Sequence, residues 1–134
     1  MKNTASVTTL ENSGAGDLIF CGQDITHAVT YEGGGSGDKL IFTGSGNDTF
    51  SVDSSNATLV SGGGADVIDV SGPGAVVYAG AGNDTVTFGG ASSKIYGGSG
   101  SDTISGSGGN AMVWGGLGAD TINATGAGSV VYED

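Results

Sequence analysis

The sequence predicts an all-β fold, a parallel β-solenoid (β-roll) with 18 residues per turn, and three observations predict it. Asp48, Asp66, Asp84, Asp102 and Asp120 recur at a constant interval of 18 residues, each behind a Gly-x-Gly-x step. Two apolar columns, nine residues apart, keep the same interval. The 134 residues include 29 glycines and one proline, which excludes a conventional helical or α/β core. Glycine at this level is compatible with disorder, but disordered linkers lack regularly placed apolar residues.

The first strand of each turn follows the aspartate. Phe50, Ile68, Val86, Ile104 and Ile122 form an apolar column flanked by Thr49, Val67, Thr85, Thr103 and Thr121 before it and Ser51, Asp69, Thr87, Ser105 and Asn123 after it. That alternation is a strand with one buried face. The second strand carries Leu59, Val77, Ile95, Val113 and Val131. Two unlike corners join the strands. One is the Gly-x-Gly-x-Asp step; the other is a small-residue bend (54–56, 72–74, 89–91, 107–110, 126–128) of Gly, Pro, Asn and Ser, which accept turn dihedrals. Stacked turns bring equivalent residues to about 4.8 Å, so the five aspartates become one row.

That row points to a metal ion. Carboxylates about 5 Å apart repel by on the order of 3 kcal/mol at an effective dielectric of about 20. Carboxylate and backbone carbonyl oxygens suit Ca²⁺ with its irregular coordination, whereas Mg²⁺ demands stricter geometry and Zn²⁺ prefers His or Cys. The step glycines, Gly44 and Gly46, Gly62 and Gly64, Gly80 and Gly82, Gly98 and Gly100, Gly116 and Gly118, allow a bend that aims carbonyls at one ion. Five aspartates leave four gaps, hence about four ions in one row, with binding and folding a single event.

Charge agrees. Three basic against 14 acidic residues give a formal net charge of −11, unsuited to binding nucleic acid or an anionic membrane. No stretch is apolar enough to span a bilayer, and the N-terminus does not read as a secretory signal. A lone Cys21 forms no intramolecular disulfide, and the single His27 offers no catalytic pair.

The stretches GGSGSDTIS (97–105) and GGLGADTIN (115–123) resemble the nonapeptide of haemolysin-type calcium-binding repeats, the repeats-in-toxin β-roll. The resemblance implies a right-handed parallel β-roll that holds Ca²⁺ between turns through Asp48, Asp66, Asp84, Asp102 and Asp120. It also implies folding in calcium-rich medium outside a bacterial cell, with secretion that uses no N-terminal signal peptide. The second half of each turn lacks the Asp and the glycine step, so one ion row is expected.

The whole chain reads as one domain: residues 1–32 as an N-terminal cap and degenerate turns, 33–134 as the calcium-binding repeats. Asp38 is a further candidate ligand, as are Asp17 and Asp24, and for all three a polar residue on a solvated corner is an equal reading. The last strand, reaching Asp134, carries no capping sequence or export region. Excision from a larger protein, cover by a partner and end-to-end stacking into a filament stay open.

Two outer faces remain. Beside the second buried column run Phe42, Val60, Tyr78, Tyr96, Trp114 and Tyr132, of which Tyr78, Tyr96, Trp114 and Tyr132 are candidate partner-binding residues. Their outward neighbours Leu40, Thr58, Val76, Lys94, Met112 and Val130 are largely apolar. The first strand presents a Thr-rich face resembling that of certain ice-binding adhesin domains, interrupted by Val67 and Asp69. No Ser or Cys is paired with a base, so no enzyme activity is expected. The expected function is a secreted, calcium-binding structural or assembly module. The alternatives are a surface-binding module for carbohydrate, protein or ice, and the calcium-dependent stabiliser of a larger secreted enzyme.

Overall fold

The computed structural model describes residues 7–12, 16, 18–21, 28–37, 39–42 and 44–133. Among them every regular element is a strand, and every pairing between strands is parallel. One seven-stranded sheet takes the odd strands in order: β1 (Val7–Asn12), β3 (Ala28–Gly33), β5 (Thr49–Val52), β7 (Val67–Val70), β9 (Thr85–Phe88), β11 (Thr103–Gly106) and β13 (Thr121–Ala124). The other takes the even ones: β2 (Leu18–Cys21), β4 (Lys39–Phe42), β6 (Thr58–Val60), β8 (Val76–Ala81), β10 (Lys94–Ser99), β12 (Met112–Leu117) and β14 (Val130–Tyr132). The chain is an all-β solenoid, as the repeat predicts.

From β5 onward each residue pairs with the one 18 positions later, as in Thr49 with Val67 and Thr85 with Thr103. Earlier turns are longer: Thr30 pairs with Thr49 and Val7 with Ala28. That lengthening corrects one sequence-based alignment. Lys39 pairs with Thr58, Leu40 with Leu59 and Ile41 with Val60, so Leu40 stands in register with Leu59 and Phe42 is not in register with the aromatics. The 18-residue count slips by one because the turn between β4 and β6 holds 19.

The core is the space between the sheets. Phe50, Ile68, Val86 and Ile104 from the odd strands meet Leu59, Val77, Ile95 and Val113 from the even ones, all essentially excluded from water. Each such side chain contributes roughly 2 kcal/mol by burial. Size is traded between turns: the ring of Phe88 fills the place beside Gly106, where a Cβ would fall 2.5 Å from Phe88 Cγ. In the last turn the cover thins, with Ile122 and Ala124 only partly buried and Val131 39% exposed.

The small-residue bends hold one conformation throughout. Asn56, Gly74, Ser92, Asn110 and Gly128 are left-handed, with φ from 55° to 77°, and Asn56 N–H donates to the Pro73 carbonyl of the next turn at 2.8 Å. Asn and Gly are the residues for which that region is cheapest.

Candidate metal centre

The other corner is built from the glycine step upward. Gly62, Gly64, Gly80, Gly82, Gly98, Gly100, Gly116 and Gly118 all have φ between 98° and 135°, a region that L side chains rarely adopt. Space forbids a side chain as well: a Cβ on Gly82 would lie 1.9 Å from the Gly64 carbonyl oxygen, and one on Gly100 1.8 Å from that of Gly82. Each step glycine therefore lets its turn settle directly on the backbone of the previous one. Gly44 and Gly62 already accept hydrogen bonds from Gly63 N–H and Ala81 N–H, at 3.0 and 2.9 Å. A carbonyl oxygen has a second lone pair, so these atoms keep acceptor capacity.

This close stacking turns the aspartates inward. Asp48, Asp66, Asp84 and Asp102 are at most 2% exposed, and Asp120 in the last turn is part-buried. The two carboxylate oxygens meet different fates. Oδ1 of Asp66 accepts Asp48 N–H at 2.8 Å, and the pattern repeats from Asp66 N–H to Asp84, from Asp84 N–H to Asp102 and from Asp102 N–H to Asp120. Oδ2 of Asp66, Asp84 and Asp102 is buried without any hydrogen-bond partner. The Ser61 hydroxyl, close to Asp66, is hydrogen-bonded to the Ala79 carbonyl. At Gly97, Oδ2 of Asp102 and the Gly115 carbonyl oxygen converge, each 2.5 Å from the point that a Cβ would occupy.

Electrostatics mark the row as unfinished. The Asp84 carboxyl is raised to about 6, chiefly by burial, with the Asp66 N–H partly opposing the rise and the charges of Asp66 and Asp102 adding to it. Asp66 is raised by burial, opposed by Asp48 N–H and Ser61; Asp102 is raised by burial, opposed by Asp84 N–H, with the Asp120 charge adding to the rise. A buried carboxylate oxygen without a donor costs several kcal/mol when charged, and only a proton or a cation removes that cost.

The donor set fits a hard cation of irregular coordination. Among the described residues no group of three or more His, Cys, Asp or Glu side chains gathers in one place. The carboxylates form a row and not a cluster, so an ion between turns would draw on neighbouring aspartates and complete its shell with backbone carbonyls. Calcium accepts such a mixture, whereas zinc would not. Asp17, Asp24, Asp38 and His27 lie outside the described residues.

One contributor escapes sequence reasoning. Asn47 and Asn83, just before their aspartates, accept Ala65 N–H and Ser101 N–H of the following turn through Oδ1, each at 2.8 Å. The only signal was an Asn at that position in alternate steps.

The outer faces are also defined. Tyr78, Tyr96, Trp114 and Tyr132 stack face to face, with centroids 4.7, 4.4 and 4.9 Å apart and planes within 8°. Tyr78 and Tyr132 are exposed, at 43% and 46%. The Thr column is longer than the 18-residue interval indicates, since Thr9, Thr30 and Thr49 stand in one register. No helix among the described residues is long and apolar enough to cross a membrane.

With this geometry in place, comparison with known proteins is informative. A family model, the RTX calcium-binding nonapeptide repeat, matches in four copies over residues 33–68, 76–95 and 88–122. No curated protein and no solved structure matches the chain.

Proposed function

The chain belongs to the family of RTX calcium-binding nonapeptide repeats, and from that premise we propose that it is a secreted β-roll whose turns are welded by a row of calcium ions. Repeats of this family folded as a β-solenoid fit a calcium-binding β-roll. The observation that carries the proposal is the buried, partnerless Oδ2 on three consecutive aspartates, Asp66, Asp84 and Asp102. Asp48 and Asp120 complete the row, and carbonyls of the glycine steps from Gly44 to Gly118 are the supplementary ligands. Calcium brings two positive charges to each gap; about four ions would offset most of the formal −11. The protein's own part is to hold Oδ1 on a backbone N–H and so aim Oδ2 into the gap.

The role is structural: the aspartates act as ligands and take no catalytic part. The module stiffens when it meets millimolar calcium outside the cell, whether as an assembly subunit or as the stabiliser of a larger secreted protein. A second reading is favoured by the exposed aromatic stack. Tyr96 and Trp114 have both ring faces covered by neighbours, which disfavours a sugar stacking on them and favours a protein partner meeting ring edges.

The test is far-UV circular dichroism with light scattering while calcium is added to chelator-treated protein. A coil-to-β transition at submillimolar to millimolar Ca²⁺ is expected, with growth in particle size if the module assembles. A chain fully folded in chelator and indifferent to calcium defeats the proposal.

A further inference from the structure

The four gaps between successive aspartates are not equivalent. Across the gap from Asp48 to Asp66, Asn47 Oδ1 accepts Ala65 N–H and lies close to Gly64, 3.1 Å from where its Cβ would be. Across the gap from Asp84 to Asp102, Asn83 does the same to Ser101 N–H and Gly100. The two gaps between them and after them differ. Ala65 has no side-chain acceptor, and Ala119 N–H donates no such bond to the Ser101 side chain. Opposite Gly82 the nearest atoms are backbone only, those of Gly64 and Ala65.

From this alternation we infer that Asn47 and Asn83 are positioning residues that divide the calcium sites into two classes, clamped and unclamped, alternating along the row. The inference rests on the calcium reading above. Each Asn holds the N–H of the residue just before the next aspartate, Ala65 before Asp66 and Ser101 before Asp102, whose carboxylate borders the same gap, so that the gap opens only when the clamp also breaks. An ion in the gap from Asp48 to Asp66 or from Asp84 to Asp102 is therefore released more slowly than one in the gap from Asp66 to Asp84 or from Asp102 to Asp120. The clamp is a single, solvent-accessible hydrogen bond, and the difference in release rate is about fivefold.

The experiment is stopped-flow mixing of the calcium-loaded full chain with a fluorescent calcium chelator, counting ions in each phase. Two phases of equal amplitude are expected. Substituting Asn47→Ala and Asn83→Ala together should move all the ions into the fast phase, with the calcium-saturated circular dichroism unchanged. Adding clamps by Ala65→Asn and Ser101→Asn should move fast ions into the slow phase. A single phase containing every ion in the unmodified chain overturns the inference while leaving calcium binding intact. Two phases that neither double variant alters overturn it as well. Release of no calcium at all removes the calcium reading, and the inference falls with it.

Discussion

The backbone N–H of Asp84 donates to Oδ1 of Asp102, 18 residues later, at 2.9 Å. One bond thus ties two turns together and fixes the carboxylate that each presents to its neighbour. Asp84 is itself held in the same way by Asp66 N–H. The row is a relay of backbone donors and side-chain acceptors whose second oxygens are left over.

Asp84 therefore separates two roles, and substitution distinguishes them. Asp84→Asn keeps an oxygen for Asp66 N–H and removes the buried charge, so in chelator the variant should be more folded than the parent. Because Asp84 borders two gaps, calcium stoichiometry by isothermal titration should fall from about four ions to about two. Asp84→Ala also loses the acceptor and strands a buried N–H, at a cost of about 1–3 kcal/mol. Unchanged stoichiometry in Asp84→Asn would remove the aspartate row from the ligand set.

Acid should stand in for the metal. The folded-state pKa of Asp84, about 6, lies above the ordinary 3.8, so between those values the folded chain holds a proton that the unfolded chain has lost. Stability of the metal-free chain then falls as pH rises through that window, and Asp66 and Asp102 act in the same direction. Calcium needs the deprotonated carboxylates, so the calcium concentration at half-folding should drop as pH climbs past about 6. Circular dichroism of metal-free protein across pH 4 to 7 checks the sign. A gain of structure with rising pH in the absence of metal contradicts it.

Much of this was legible in the sequence for one physical reason: a solenoid repeats its chemistry at the interval of its turn. Asp66, Asp84 and Asp102 could be placed in one row, and the strands around Ile68, Val86 and Ile104 in one sheet, by counting. Counting failed where the turn length changes, which is why Phe42 was aligned with Val60 although Ile41 is its partner. Contacts between turns were invisible too, because they depend on stacking register. Neither the capture of Oδ1 by the previous aspartate's N–H nor the reach of Asn47 to Ala65 follows from any local motif. Ser92 adopts the left-handed region at φ 60°, a conformation its residue type does not announce.

The glycines divide into those that the stack requires and those that it tolerates. Gly82→Ala would force a Cβ to 1.9 Å from the Gly64 carbonyl at φ 135°, so it should destabilise the calcium-loaded fold by about 3 kcal/mol. Gly89→Ala meets nothing nearer than Ser71 Cα at 3.7 Å, and should be neutral or stabilising by about 0.5 kcal/mol. Denaturant midpoints in saturating calcium compare the two directly. Equal effects would mean that the step glycines serve chain flexibility and not the approach of neighbouring turns.

The aromatic ladder invites the same separation of structure from binding. Tyr96 stacks on Tyr78 on one face and on Trp114 on the other, at 4.7 and 4.4 Å. Tyr96→Ser removes both contacts, each worth about 0.5–1.5 kcal/mol, and should lower stability by about 2 kcal/mol. Lys94→Ser, on the exposed neighbouring column, should change it by less than about 0.5 kcal/mol. Losing Tyr96 also uncovers one face of Trp114, so its emission should shift to the red in the folded, calcium-loaded protein. In the parent both faces of that indole are occupied, by Tyr96 and by Tyr132 at 4.9 Å, so simple sugars should leave its fluorescence unchanged. A protein partner needs only the ring edges, and its binding should survive Lys94→Ser and weaken with Tyr96→Ser by more than the small loss of folded protein explains. If sugars quench Trp114 in the parent, the ladder opens to admit them and the preference for a protein partner is wrong.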